Sequence, residues 1–290
     1  MSKKYGIVLE GGGLRGIFTA GVLDYFMVRN LKFPYVCGVS MGACAAMSMI
    51  SGQLGRTKRS VLHDGNEPYY GPENLLRTGK LLDIDIIFDE YPFKQYPFDF
   101  GAYFASDVQS EYAVTSLDSG EAVFLSEKQD QKRMLDIVKA SSSLPLISKP
   151  VTVDGRQYMD GGIADPVPVK RAFQNGCKKC VVVLTKPLGY KPSTGRQTLN
   201  ATGIVYRRHP EFVKKCIERD GRYISRMRLL SLLEEAGMAY VIRPSVPVID
   251  RFETNETKLL EYYANGYETA ERVYEEMTRF LGEENILFND

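Results

Sequence analysis

The chain has 290 residues, with 37 lysines and arginines against 36 aspartates and glutamates, so its formal net charge is +1. Hydrophobic residues make up 44% and charged residues 25%, the proportions of a globular chain long enough to bury a full core. Near-zero charge argues against bulk attraction to nucleic acid, and two histidines, His63 and His209, are too few for a three-histidine zinc site.

Residues 1–5, Met1-Ser2-Lys3-Lys4-Tyr5, lead into a short apolar run that stops at Glu10, too brief for a signal-peptide core. No stretch approaches the roughly 18 consecutive apolar residues of a membrane span. The expected location is therefore cytoplasmic, with peripheral membrane contact left open. Five cysteines are too sparse for a disulfide scaffold. Cys177 and Cys180 form a C-x-x-C with no second pair to complete a zinc site, so plain buried or half-buried thiols are expected.

Tyr5–Leu9 reads as a buried strand, followed by Gly11-Gly12-Gly13-Leu14-Arg15-Gly16. Ile17–Val28 carries apolar residues at helical spacing. Residues 35–37 form the next strand, 38–42 a turn and 43–50 a small-residue helix. Residues 52–101, rich in Gly, Pro, Tyr and Phe, read as loops and short helices. Asp118-Ser119-Gly120 and Asp154-Gly155-Arg156 each sit between short β-prone runs, which is a hairpin signal. Residues 131–140 read as a helix and 181–185 as a central strand. Residues 189–203 read as a polar connector, 205–237 as a long basic helical region and 240–243 as a strand. Residues 256–281 read as an amphipathic helix with Leu259, Tyr263, Tyr267, Val273 and Tyr274 on its packing face. Alternating strands and helices predict an α/β fold, with a mainly parallel central sheet and helices on both faces. The change of character after Pro187 divides the chain into a catalytic domain at 1–188 and a mainly helical extension at 189–290.

Gly38-Val39-Ser40-Met41-Gly42 matches G-x-S-x-G between a strand and a helix, the setting of a nucleophile elbow. Such a turn strains the serine and presents its hydroxyl at a helix N-terminus, where developing negative charge is favoured. The alternative is a tight turn with a bystander serine. Residues 11–16 match G-x-G-x-x-G. A dinucleotide site would need an acidic residue near the end of the second strand, but Ser40 stands there. The other reading is an oxyanion hole built from the backbone N–H groups of Gly11, Gly12 and Gly13. Asp160-Gly161-Gly162 follows the second hairpin and can aim a carboxylate across a cleft, though Asp-Gly is also a common turn signal.

Taken in order, Gly11-Gly12-Gly13-Leu14-Arg15-Gly16, Gly38-Val39-Ser40-Met41-Gly42 and Asp160-Gly161-Gly162 resemble the patatin-like phospholipase family. Ala140-Ser141-Ser142-Ser143-Leu144-Pro145 looks like a fourth block of that family, and the last hundred residues look like the C-terminal extension of some bacterial members. The resemblance implies a three-layer architecture and a serine acyl hydrolase with a Ser-Asp dyad and neither metal nor cofactor. Ser40 would be the nucleophile and Asp160 the base. The N–H groups of Gly11, Gly12 and Gly13 would form the oxyanion hole, and Arg15, Gly16, Gly38, Met41, Gly42, Gly161 and Gly162 would support the motifs. The substrate would be a phospholipid, lysophospholipid or neutral-lipid ester. The family commonly has Asn-x-Pro a few residues after its Asp-Gly, whereas this chain has Asp165-Pro166-Val167-Pro168. A carboxylate there would raise the pKa of Asp160 by like-charge repulsion if it stood close.

Two rivals remain at this level. Ser40, Asp160 and His209 also follow the order of a Ser-Asp-His triad esterase, and an inactive lipid-binding module would share the scaffold. Between 205 and 228, eight basic residues face three acidic ones, a local excess of +5. This stretch is either a solvated helix face or a handle for anionic lipid. The aromatic segment 84–104 is either an acyl pocket or lid, or loop packing.

Overall fold

The computed structural model describes residues 5–62 and 69–282 and the backbone of residues 287–288. The strands are β1 (Tyr5–Leu9), β2 (Leu31–Lys32), β3 (Tyr35–Val39), β4 (Gln109–Ser116), β5 (Ala122–Leu125), β6 (Val151–Val153), β7 (Arg156–Asp160), β8 (Lys179–Val183), β9 (Ala239–Ile242) and β10 (Leu287–Phe288). The helices are α1 (Ile17–Val28), α2 (Met41–Ile50), α3 (Arg56–Leu62), α4 (Gly71–Thr78), α5 (Phe100–Ala105), α6 (Gln131–Ser141), α7 (Val169–Gln174), α8 (Arg196–Val205), α9 (Pro210–Glu235) and α10 (Glu256–Leu281).

The central sheet runs β6-β7-β4-β3-β1-β8-β9, with β5 also paired to β4. Its middle is parallel, β4-β3-β1-β8-β9, and the two predicted hairpins add antiparallel strands at one side. Alternation along the strands sorts two cores. Ile7, Leu9, Val36, Val181 and Val183 pack with α1, α2, α6 and α10. Val8, Cys37 and Val182 pack with α7 and α9 on the opposite face. This is the expected three-layer α/β arrangement.

Helix α1 is covered on both sides and mostly apolar: residues 17–26 are all buried, Thr19 and Asp24 among them, and Asp24 accepts from Tyr263 Oη and Gly55 N–H. Its outer side meets α10 at two glycines. A Cβ on Gly21 would overlap the Tyr263 carbonyl, and one on Gly266 would overlap the Phe18 carbonyl, so the backbones touch directly.

The chain beyond Leu188 adds strand β9 to the sheet, parallel to β8, and packs α10 on α1. The expected polar connector is half helix, because α8 begins at Arg196 inside it. A break at 206–209 then separates α8 from α9, where His209 and Pro210 start the second helix. The described cysteines are free thiols, buried except for half-buried Cys44.

Candidate active site

Strand register brings Ser40 and Asp160 together. Val39, the last residue of β3, pairs with Ala113 of β4, and Asp160, the last residue of β7, pairs with Val114. β3 runs parallel to β4 and β7 antiparallel. Their C-terminal ends therefore meet at consecutive residues of one strand, although they are separated by 121 positions in sequence.

Ser40 adopts φ 54, ψ −124 at the start of α2. For a residue with a side chain this backbone is strained by about 1–3 kcal/mol, and only surrounding contacts can hold it. The glycines on either side remove two clashes. A Cβ on Gly42 would lie 2.5 Å from the Leu9 carbonyl, and one on Gly38 would lie 2.7 Å from the Ala43 Cα. The serine segment supplies a clamp. Ser40 N–H donates to Ser141 Oγ at 2.9 Å, and Ser141 Oγ donates to the Ala113 carbonyl at 2.7 Å. Asp160 N–H donates to the Ser143 carbonyl at 2.8 Å. The block 140–145 thus holds the backbone of both residues.

Asp160 is 3% exposed and Ser40 is 7% exposed. The Asp160 carboxylate accepts from Gly162 N–H at 2.7 Å, and the Ser40 hydroxyl lies close enough to act on its charge. Burial raises the Asp160 pKa above the ordinary carboxylate value. The Arg219 charge, the nearby Ser40 hydroxyl, the Gly162 hydrogen bond and the Arg251 charge pull it back. Asp165 does not supply the shift. Its carboxylate is buried and pairs with Arg226 of α9 at 2.8 Å.

The glycine loop packs against the elbow, where a Cβ on Gly11 would lie 3.0 Å from Ser40 Cβ. Gly13 has φ +60, and Leu14 N–H donates to the Arg251 carbonyl at 3.0 Å. Arg15 is buried, with Nε donating to the Ile249 carbonyl at 2.7 Å, so it ties this loop to the 249–251 segment. Behind the loop, Glu10 is fully buried. It accepts from Lys186 Nζ at 2.5 Å and from Thr185 N–H at 2.6 Å. Burial lowers the Lys186 pKa and Glu10 opposes it.

Two cavities share Ser40. One is lined by Gly11, Gly12, Gly13, Arg15, Asp160, Gly162, Lys186, Tyr190, Arg219, Asp220, Tyr223 and Arg251. The other is apolar and lined by Leu14, Met41, Cys44, Tyr69, Tyr70, Ile84, Ile87, Phe88, Tyr91 and Phe252. The aromatic segment therefore splits. Its first part lines the apolar cavity, while Phe98 and Tyr103 pack in the core and Phe93 stacks on Phe100.

His209 is not among the residues lining either cavity. Its Nδ1 lies 4.0 Å from Asp118 in the turn between β4 and β5. His63 lies outside the described residues. Glu10, Lys186 and Arg251 escaped sequence reasoning, and Arg219 was read only as one charge of the basic stretch 205–228. Glu10 alone left a signal, a carboxylate closing an apolar strand.

The basic stretch 205–228 is not one continuous face. Lys215 pairs with Glu121, Arg222 with Glu218 and Arg226 with Asp165, and Arg219 lines the cavity. Arg207, Arg208, Lys214 and Arg228 are exposed. No helix among the described residues is long and apolar enough to cross a membrane.

Fold and site together describe an α/β protein with a serine on a strained strand-to-helix elbow beside a buried carboxylate. The family model "Patatin-like phospholipase" matches residues 7–173, and the chain belongs to that family. A second model, "Domain of unknown function (DUF6363)", matches residues 209–282. The chain is 36% identical over 195 residues to the uncharacterized protein YjjU of Escherichia coli (strain K12), covering 62% of this chain and 52% of that one. It is 23% identical over 287 residues to the lysophospholipase NTE1 of Meyerozyma guilliermondii, covering 93% of this chain and 19% of that one. The chain thus spans about half the length of YjjU and less of the longer NTE1. The structure of VipD from Legionella pneumophila shares the fold, with a TM-score of 0.52 at 15% identity over 95% of this chain and 67% of VipD.

Proposed function

We propose that this chain is a serine acyl hydrolase that cleaves carboxylic esters of lipids through an acyl-Ser40 intermediate, with Asp160 as its base. The observation that carries this reading is the strained Ser40 beside a buried Asp160 on one cavity wall, where two cavities meet. The Asp160 carboxylate takes the hydroxyl proton as Oγ attacks the ester carbonyl. The resulting oxyanion is received by N–H groups of the Gly11–Gly13 loop. Among the described residues, those N–H groups donate to no other partner. As the intermediate collapses, the leaving alkoxide takes the proton from Asp160. Water then loses a proton to Asp160 and attacks the acyl-serine, which frees the fatty acid and restores the dyad.

An aspartate with an ordinary pKa near 3.9 is a weak base. Burial moves Asp160 in the useful direction, and the oxyanion donors supply the larger share of the rate, about 2.7–4 kcal/mol for one such donor. The apolar cavity suits the acyl chain, where each buried methylene contributes about 0.8 kcal/mol. The lysophospholipase name of one relative and the phospholipase name of the family support a lipid ester. The position of His209 beside Asp118 speaks against a triad. Contact with anionic lipid fits the exposed Arg207, Arg208 and Lys214, which neighbour the exposed Ile204, Val205 and Ile217.

The test is an acyl-ester panel with wild type, Ser40→Ala, Asp160→Asn and His209→Ala. The first two variants are expected to lose activity and the third to keep it. A loss with His209→Ala as deep as with Ser40→Ala would restore the triad, and no turnover by wild type on any ester would favour a binding module. Liposome co-sedimentation tests the surface: binding indifferent to anionic lipid content would remove it from the reading.

A further inference from the structure

The larger share of the charge around the dyad comes from outside the family's catalytic motifs. Four cations, Arg15, Lys186, Arg219 and Arg251, line the cavity on one side of Ser40. Two are already engaged. Lys186 is held by the buried Glu10 at 2.5 Å, and Arg15 donates to the Ile249 carbonyl. Asp220, an acidic group on the same wall, is tied to Thr194 N–H at 2.6 Å and to Thr194 Oγ1 at 2.8 Å. Arg219 and Arg251 are different. Among the described residues neither has a carboxylate at ion-pair distance, and both are half-buried. Each is close enough to Asp160 to act on its charge, and they repel one another. With Lys186 matched by Glu10, the lining keeps three cations, Arg15, Arg219 and Arg251, against Asp160 and Asp220, and this excess of positive charge in a partly closed cavity favours an anionic ligand.

We propose that Arg219 and Arg251 form a phosphate subsite, so that the preferred substrate is an acyl ester carrying a phosphate headgroup. This rests on the reading of Ser40 and Asp160 as the catalytic pair. The layout fixes the orientation of such a substrate. Ser40, Leu144, Gly13 and Arg251 line both cavities. An ester carbonyl at Ser40 therefore places an acyl chain between Tyr69 and Phe88 on one side and a phosphate beside Arg219 on the other, with Arg251 at the boundary of the two. Guanidinium donors match phosphate oxygens in pairs, and this favours arginine over lysine for such a task. Both arginines lie within residues 209–282, the segment whose family model carries no function. The inference gives that segment a role: it completes the active site and reads the headgroup.

The experiment compares 1-acylglycerol 3-phosphate with the monoacylglycerol of the same chain length, both below their micelle concentrations. The readout is the ratio of their kcat/KM values for wild type, Arg219→Gln, Arg251→Gln and Arg219→Lys. A charge-assisted contact is worth about 1.5–3 kcal/mol, so each Gln variant lowers the ratio by about tenfold or more, chiefly through KM, and Arg219→Lys recovers part of it. An unchanged ratio overturns the proposal. Inorganic phosphate is the second arm. If it protects wild type against heat and not the Gln variants while the ester ratio stays unchanged, the pocket holds free phosphate, and the headgroup assignment is wrong. The third arm is catalysis-free: Ser40→Ala binds the phosphate ester more tightly than the neutral one, and Arg219→Gln added to it removes the difference. Residual hydrolysis by Ser40→Ala would defeat the catalytic reading while leaving this binding result to stand or fall separately.

Discussion

Replacing Ser141 by alanine isolates the device that holds the elbow. Ser141 Oγ receives the Ser40 N–H at 2.9 Å and donates to the Ala113 carbonyl at 2.7 Å, and both bonds are buried. Ser141→Ala leaves the Ser40 N–H with no acceptor inside the fold, a loss of about 1–3 kcal/mol. That N–H belongs to a residue already strained at φ 54, so the elbow relaxes at the same time. A displacement of about 1 Å at the nucleophile lowers the rate by roughly a hundredfold. Urea denaturation reads the stability change, and kcat on a soluble acyl ester reads the rate. The control is a serine nearby in sequence. Ser148 Oγ is buried with no partner among the described residues, so Ser148→Ala is expected to change stability by less than about 0.5 kcal/mol and to leave kcat alone. If Ser141→Ala behaves like Ser148→Ala in both assays, the clamp argument is wrong.

Other expectations follow from the same geometry. The Asp160 pKa is raised in the fold by burial, so the native state holds that proton more readily than the unfolded chain does, and ionising the group as pH rises costs stability. Asp160→Asn is therefore expected to raise the melting temperature near neutral pH while abolishing turnover. The gain should shrink as pH falls toward 3.8, and a pH-independent gain would refute this. Arg219 is the foremost cation lowering that pKa, so Arg219→Gln should move the acidic limb of kcat/KM on a neutral ester to higher pH. A limb that stays in place or moves down would contradict the assigned proximity. Gly21→Ala inserts a methyl into the Tyr263 carbonyl and should cost about 1–3 kcal/mol. Gly221→Ala, exposed within α9 with open space around its Cβ, should gain about 0.5–1 kcal/mol. Chemical denaturation separates the two, and equal effects would defeat the packing argument.

Local chemistry explains what was readable in the sequence. α1 was legible because ten consecutive buried residues end at a turn, and both hairpins because their turns carry residues that tolerate left-handed backbone: Asp154 and Gly155 have φ 51 and 75. The elbow was legible because glycines bracket Ser40 where other backbone passes within 2.5–2.7 Å of their missing Cβ atoms. α8 was hidden by its polar, threonine- and asparagine-bearing sequence, which reads equally well as a connector. What joins distant residues left no local trace. The register that seats β3 and β7 on consecutive residues of β4 is one case. The pairing of Asp165 with Arg226 is another. The cationic cavity draws Arg15, Lys186, Arg219 and Arg251 from four separate elements, and no spacing rule links them.

The central claim is that Ser40, served by Asp160, carries the acyl group. Intact-mass and peptide mass spectrometry after a brief reaction with a slowly turned-over acyl ester tests it most directly. The account expects one acyl adduct, on the peptide containing Ser40, formed by wild type and by His209→Ala and nearly absent in Asp160→Asn. An adduct on another residue, or acylation of Ser40 at an undiminished rate in Asp160→Asn, would contradict it.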